Sequence, residues 1–213
     1  MKKRTYVLVA STLVLAIALV WMLGSAHASV PQVNVGKSLA NLEAAYQGES
    51  NAHARYLAFA EKADEEGYGQ VASLFRAAAR AEQIHAANHA EVIKQLGGEA
   101  AAKIEAPDVK STAENLQAAI KGESYERDTM YPEFIATARQ ERARDAIRSF
   151  NYAQTAEAEH AKLYQQALDN LEAMRGAGRD YYVCTVCGMT TTNLDFAKCA
   201  SCFSPKEKYV AVR

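Results

Sequence analysis

Apolar residues recur at three- and four-residue steps over four long stretches of the chain. From Ser38 to Gly67, Leu39, Leu42, Ala45, Tyr46, Ala52, Tyr56, Phe59 and Ala60 fall on one face, which predicts an amphipathic helix. "EEGYG" (65–69) breaks the pattern, and a second helix is expected from about Gln70 to Leu96, stopping at Gly97-Gly98. Residues 99–111, with Pro107, read as a connection. A third helix opens at Ser111, where Ser111 and Glu114 fit a capping box. Pro132 should kink it, because proline lacks an amide donor and crowds the preceding turn. A fourth helix is expected from about Glu141 to Met174, followed by a linker, "RGAGRD" (175–180), and a tail rich in β-prone pairs and turn residues. Four helices of this length predict an all-α four-helix bundle, with 99–111 as the long crossover. A small β-rich domain follows it.

The helices are written twice. "NLEAAYQGES" begins at Asn41 and "NLQAAIKGES" at Asn115, 74 residues on (41 to 115). Glu82-Gln-Ile-His85 and Glu157-Ala-Glu-His160 lie 75 apart (82 to 157), so the duplication persists with one inserted residue. In each Glu-x-x-His the two side chains share a helix face. Glu82 follows Leu74, Phe75 and Ala78 at helical steps, and Glu157 follows Phe150 and Ala153. The acids therefore sit within the apolar stripe. Buried carboxylates cost several kcal/mol each even after relaxation. Glu49, Glu82, Glu123 and Glu157 would meet there, with Glu126 one turn after Glu123. Two divalent cations resolve that repulsion. A Glu from each of two helices plus Glu-x-x-His from each of the others is a di-iron or di-manganese ligand set. His53 and His89 follow Glu49 and His85 by four residues but have no counterpart in the other half, so they are expected around the site or at the surface. Tyr56 lies seven residues after Glu49 and Tyr131 eight after Glu123, where each can hydrogen-bond a ligand carboxylate or simply pack in the core.

The four cysteines stand as Cys184-x2-Cys187, eleven residues, Cys199-x2-Cys202. Such paired knuckles close four sulfurs around one iron or zinc, and this spacing favours a metal over disulfides. Iron would make the tail a one-electron centre, whereas zinc would make it structural.

Charge and the N-terminus add two points. A net charge of −1 with no basic patch gives no indication of nucleic-acid binding. Residues 1–28 combine Lys2, Lys3 and Arg4, an apolar run from Tyr6 to Leu23, and Ala26-His27-Ala28 before Ser29, the layout of a secretory signal peptide or, alternatively, an uncleaved anchor. The expected organisation is then 1–28 leader, 29–177 bundle and 178–213 four-cysteine metal domain. The protein is expected to be exported and periplasmic, or anchored facing the periplasm.

"GESNAHARY" (48–56), "EQIH" (82–85), "GESYERDTMYP" (122–132), "EAEH" (157–160) and the four-cysteine tail resemble, in that order, the rubrerythrins. The resemblance covers nearly everything after Ser38. It implies a ferritin-like bundle with a rubredoxin-like tail. It implies iron ligands at Glu49, Glu82, Glu123, Glu126, Glu157 and His160, with His85 exchanging for Glu126 as the oxidation state changes. It implies reduction of hydrogen peroxide to water in oxidative-stress defence, with electrons from an outside donor protein entering through Cys184, Cys187, Cys199 and Cys202. On this reading Glu126 and His85 are the exchanging pair, and Tyr56 and Tyr131 steady the carboxylates. It also implies a homodimer or higher homo-oligomer in which a tail serves a neighbour's site. Phe203 stands where free rubredoxins place Gly, which leaves zinc open in the tail. The alternative is a ferritin-like protein that oxidises and holds Fe(II), with a structural zinc tail.

Overall fold

In a computed structural model, residues 36–213 are described; the leader expected at 1–28 lies outside the described residues. Helix α1 spans Gly36–Glu65 and α2 spans Gly69–Gln95, joined by a tight turn in which Gly67 takes φ 81°. Residues 96–111 then run without regular structure back along α1, where Gln47 and Asn51 side chains bond the backbone of Lys103 and Glu105. Those bonds satisfy backbone groups that a long connection would otherwise leave to water. Helix α3 (Thr112–Tyr125) starts at Ser111 with a full capping box to Glu114.

The third helix differs from the expectation at Pro132. The chain passes through a π-helical segment, Glu126–Met130, before α4 (Tyr131–Gln140), and Pro132 sits in the first turn of α4. The disturbance therefore lies one turn earlier than the proline. A π turn accommodates one extra residue in a helix. Glu49 to Tyr56 is seven residues and Glu123 to Tyr131 is eight, so the residue inserted into the second repeat lies in this segment. The insertion lets both tyrosines occupy equivalent places.

Helix α5 spans Arg144–Asp169, beginning three residues later than expected because Arg142 turns left-handed at φ 56°. A 3-10 turn, Leu171–Met174, closes it. The tail forms a three-stranded antiparallel sheet in the order β2-β1-β3, from β1 (Tyr181–Cys184), β2 (Thr190–Thr191) and β3 (Tyr209–Val212). Among the described residues, no helix is long and apolar enough to cross a membrane.

Two apolar cores fill the bundle. One holds Tyr56, Phe59, Phe75, Leu116 and Tyr164, and the other Leu42, Ile93, Tyr131 and Phe150. Each contributes one tyrosine to the polar cluster that the duplicated motifs build. Tyr181 and Val183 of the tail join the first core, so the sheet is packed onto the bundle. Burying these side chains contributes about 25 cal/mol per Å² of apolar surface, which holds the helices together despite the charged layer.

Candidate metal centre

Helical periodicity brings both Glu-x-x-His motifs inward, and Glu49, Glu82, His85, Glu123, Glu157 and His160 are all buried. Their donor atoms form two groups. One comprises Glu49, Glu82, His85 and Glu157, the other Glu82, Glu123, Glu157 and His160, each within 4.8 Å. Glu82 and Glu157 belong to both, as bridging carboxylates between two cations would. The His85 Nδ1 lies 2.8 Å from Glu82 Oε2 and 3.0 Å from Glu157 Oε1. The His160 Nδ1 lies 2.9 Å from Glu157 Oε2 and 3.4 Å from Glu82 Oε1.

The outer nitrogens decide what the inner ones can do. His85 Nε2 lies 3.1 Å from the Cys187 carbonyl, which can only accept, so Nε2 carries the proton. His160 Nε2 lies 2.9 Å from Thr190 Oγ1, whose own proton goes to the Gly188 carbonyl at 3.1 Å. His160 Nε2 therefore donates as well. When neutral, each imidazole then aims its Nδ1 lone pair at carboxylate oxygens. That arrangement is repulsive unless a cation or a proton lies between them. Both oxygens of Glu157, one each of Glu49, Glu82 and Glu123, and His160 Nδ1 have no hydrogen-bond partner. Buried polar atoms are rarely left so. The donor set fits two divalent metals, and a Glu/His di-metal site is present.

The electrostatics agree. Burial pushes the Glu49 carboxyl well above its usual range, and the charges on Glu126 and Glu82 add to it. Burial, Glu157 and Glu82 push Glu123 up to about 8. Burial would raise Glu82 too, but the neighbouring His160 and His85, when they carry a proton at Nδ1, hold it below the usual carboxylate range. Buried acids that hold on to protons in this way carry a charge repulsion that bound cations relieve.

Tyr56 and Tyr131 both pack in the cores and bond ligands. Tyr56 donates to Glu123 Oε1 at 2.6 Å, and Tyr131 donates to Glu49 Oε1. Glu126 lies outside both four-residue groups. Desolvation, Glu157 and Glu123 push its carboxyl well up. His53 lies at the margin, with Nδ1 2.7 Å from the Ala79 carbonyl. His89 is wholly buried, touching Ser149 Oγ at 2.7 Å and the Tyr131 hydroxyl at 3.1 Å. Burial, helped by His85, lowers its pKa to about 3. Sequence reasoning missed Ser149 and Thr190. Ser149 lies eight residues before Glu157 on the same helix face, a usable hint, whereas nothing in the local sequence marks Thr190.

The four cysteines carry no disulfide. Cys184 Sγ lies 3.7 Å from Cys202 Sγ, and Cys187 Sγ lies 3.5 Å from Cys199 Sγ. A metal bound by four thiolates at about 2.3 Å gives sulfur-sulfur edges of about 3.8 Å, so the cage matches. Cys184 is drawn down to about 5 by its bond from Cys187 and by the Val186 and Cys187 amides of the knuckle. A separate four-cysteine metal-binding site is therefore present in the tail. It sits against the bundle of its own chain. Besides the Cys187–His85 bond, Asn88 Nδ2 donates to the Val186 carbonyl at 3.0 Å. Gly188, at φ 78°, passes so close to His85 that any Cβ there would overlap the imidazole.

Comparison with known proteins places this architecture. The rubrerythrin family profile matches residues 40–168. The chain is 40% identical to nigerythrin of Nitratidesulfovibrio vulgaris over 178 residues, covering 83% of this chain and 87% of that protein. It is 39% identical to rubrerythrin-2 of Clostridium acetobutylicum over 172 residues, 80% of this chain and 94% of the relative. Among solved structures, nigerythrin in its fully reduced, all-ferrous state superposes with a TM-score of 0.77 at 38% identity, covering 86% of this chain and 90% of that one. A bacterioferritin of Desulfovibrio desulfuricans, at 24% identity and a TM-score of 0.60, shares the fold alone.

Proposed function

This chain belongs to the rubrerythrin family, and from that premise we propose that it reduces hydrogen peroxide to water at its buried Glu/His site, drawing electrons through its four-cysteine tail. The observation that carries this is the hydrogen bond from His85 to the Cys187 carbonyl, which joins the two sites by one contact. When bound, the paired irons supply Lewis acidity and the two electrons that O–O cleavage needs, and iron in the tail passes electrons singly.

The chain's own residues prepare that chemistry. Glu82 and Glu157, common to both donor groups, would hold both metals, and Glu49 and Glu123 would each hold one. Tyr131 and Tyr56 hold those end carboxylates in place from the two cores. Cys187 and Thr190 fix both imidazoles with Nδ1 inward. Glu126, lying beside the site and outside both groups, would be the residue to exchange with His85 as a ligand. A protein that only stored iron would have no use for an electron inlet abutting its ligand. The donor is a separate electron-transfer protein. The working form is a homo-oligomer, and tails exchanged between subunits would make the same contacts in trans.

The test uses iron-reconstituted protein, reduced without oxygen and titrated with peroxide. It should consume about one peroxide per di-iron site, since two ferrous ions hold two electrons. Uptake of further Fe(II) and accumulation of a ferric core would establish the iron-holding alternative.

We also propose that the leader directs export and is removed. It holds Trp21, the chain's sole tryptophan, so the protein recovered from the periplasm should fluoresce from tyrosine alone. A tryptophan band in that fraction would establish a retained anchor.

A further inference from the structure

The duplicated site is not symmetric beyond its ligands. On the Glu49 side, Tyr131, His89 and Ser149 form a continuous buried chain, with Tyr131 bonded to Glu49, His89 Nε2 3.1 Å from the Tyr131 oxygen, and His89 Nδ1 2.7 Å from Ser149 Oγ. On the Glu123 side, the 75-residue repeat offset puts Tyr56 in the place of Tyr131, Tyr164 in that of His89 and Leu74 in that of Ser149. Tyr56 bonds Glu123, but the Tyr164 hydroxyl has no partner, and the surroundings are the rings of Phe59 and Phe75, with Arg55 over the Tyr56 face.

The hydrogen bonds on the Glu49 side have only one consistent direction when that carboxylate is ionised. Tyr131 spends its single proton on Glu49, so its oxygen must accept from His89 Nε2–H. Neutral His89 then accepts at Nδ1, so Ser149 donates. No atom in this chain has a second choice, and the Tyr131 hydroxyl cannot turn away without breaking two bonds.

We propose that Ser149 and His89 are positioning residues that lock the Tyr131 hydroxyl onto Glu49, making the Glu49–Glu82–His85–Glu157 position the stronger of the two and the first to fill. This rests on the di-metal reading of the site, but on no assumption about peroxide. The pocket that holds Glu123 lacks the lock and fills second. Outer partners of metal ligands typically change metal affinity by about 10- to 100-fold.

The test is titration of the whole protein, its tail filled with zinc, with Mn(II), which prefers carboxylate and imidazole to thiolate. Electron paramagnetic resonance follows the first ion as an isolated spin and the second as a coupled pair. Two steps are expected. Ser149→Ala and His89→Leu should weaken the first about tenfold while moving the second much less. His89→Gln should restore it, because glutamine can also donate to Tyr131 and accept from Ser149. Tyr164→Phe should change neither step. In zinc-loaded protein, nitrogen NMR should show His89 protonated at Nε2. An Nδ1–H tautomer, or equal weakening of both steps by Ser149→Ala, overturns the proposal. Failure to bind any Mn(II) pair would instead overturn the di-metal reading itself. If His89→Leu fails to fold, the Ser149→Ala and NMR results decide.

Discussion

The Tyr56 hydroxyl on α1 donates to Glu123 on α3 at 2.6 Å, and Tyr131 on α4 returns the bond to Glu49 on α1. Each half of the repeat thus supplies a carboxylate to the site and the donor that steadies the other half's carboxylate. Both bonds are buried, where losing one leaves an acceptor unsatisfied.

Tyr56→Phe should keep the fold and weaken the site. The ring still packs against Phe75 and Tyr164, with centroids 5.9 and 5.6 Å away. Only the donor to Glu123 is lost. The expected result is metal affinity down about tenfold with the melting temperature lowered by only a few degrees, read by competition with a chelator and by calorimetry.

Glu82→Ala and Glu157→Ala should each empty both bundle positions, because these two carboxylates belong to both ligand groups. The tail should keep its metal, since its four sulfur donors share no ligand with the bundle. Metal analysis with the tail's visible spectrum checks both expectations. Loss of the tail metal as well would show that the two sites fill as one unit.

Gly188→Ala should separate electron delivery from peroxide reduction. A methyl there overlaps the His85 ring, and φ 78° adds strain for any residue with a side chain. The tail must shift, and the Cys187–His85 bond lengthens or breaks. Pre-reduced protein should still consume its first peroxide, while continuous turnover with a protein donor slows at least about tenfold. Cys199→Ala should stall in the same way by removing the tail's metal ligand. Full continuous activity in Cys199→Ala would make the tail structural.

Metal-free protein should lose stability as the pH rises from about 5 toward 8. Glu123 is raised from an ordinary 4.5 to about 8, and Glu49, His85 and His160 are also raised. Groups that hold a proton more tightly in the folded state stabilise it below their unfolded pKa, and that contribution fades as the pH rises through the folded value. Glu82, held low, gives a contribution that is already complete above its ordinary value and stays level over this range, and His89, lowered to about 3, opposes the decline only up to its ordinary 6.5. Denaturation of metal-stripped protein across the range should show the decline, and added divalent metal should flatten it. A stability rising with pH in the stripped protein would contradict the buried-acid arrangement.

Much of this protein was legible in its sequence because the information was local. A helix face repeats every three or four residues, so the stripe and the acids within it could be read directly, as could Glu82 with His85 and Glu157 with His160. The Cys-x2-Cys pairs are likewise set by a few bonds of backbone, and the capping box at Ser111 by one turn. The one-residue slip between the repeats was visible as well, although only the π segment at Glu126–Met130 showed how the helix absorbs it.

What tertiary structure decided lies between residues far apart in the chain. His89 carried no mark that it would meet Tyr131, 42 residues on, and Ser149, 60 on. Nor did Glu126 show that it would stand outside both ligand groups while His85 stood within one. Thr190 and the Cys187 carbonyl set the histidine tautomers from the far side of a linker. Such contacts depend on how the faces of separate helices and a sheet come together. That is settled by packing the two apolar cores around a charged layer, and no spacing along the chain encodes it.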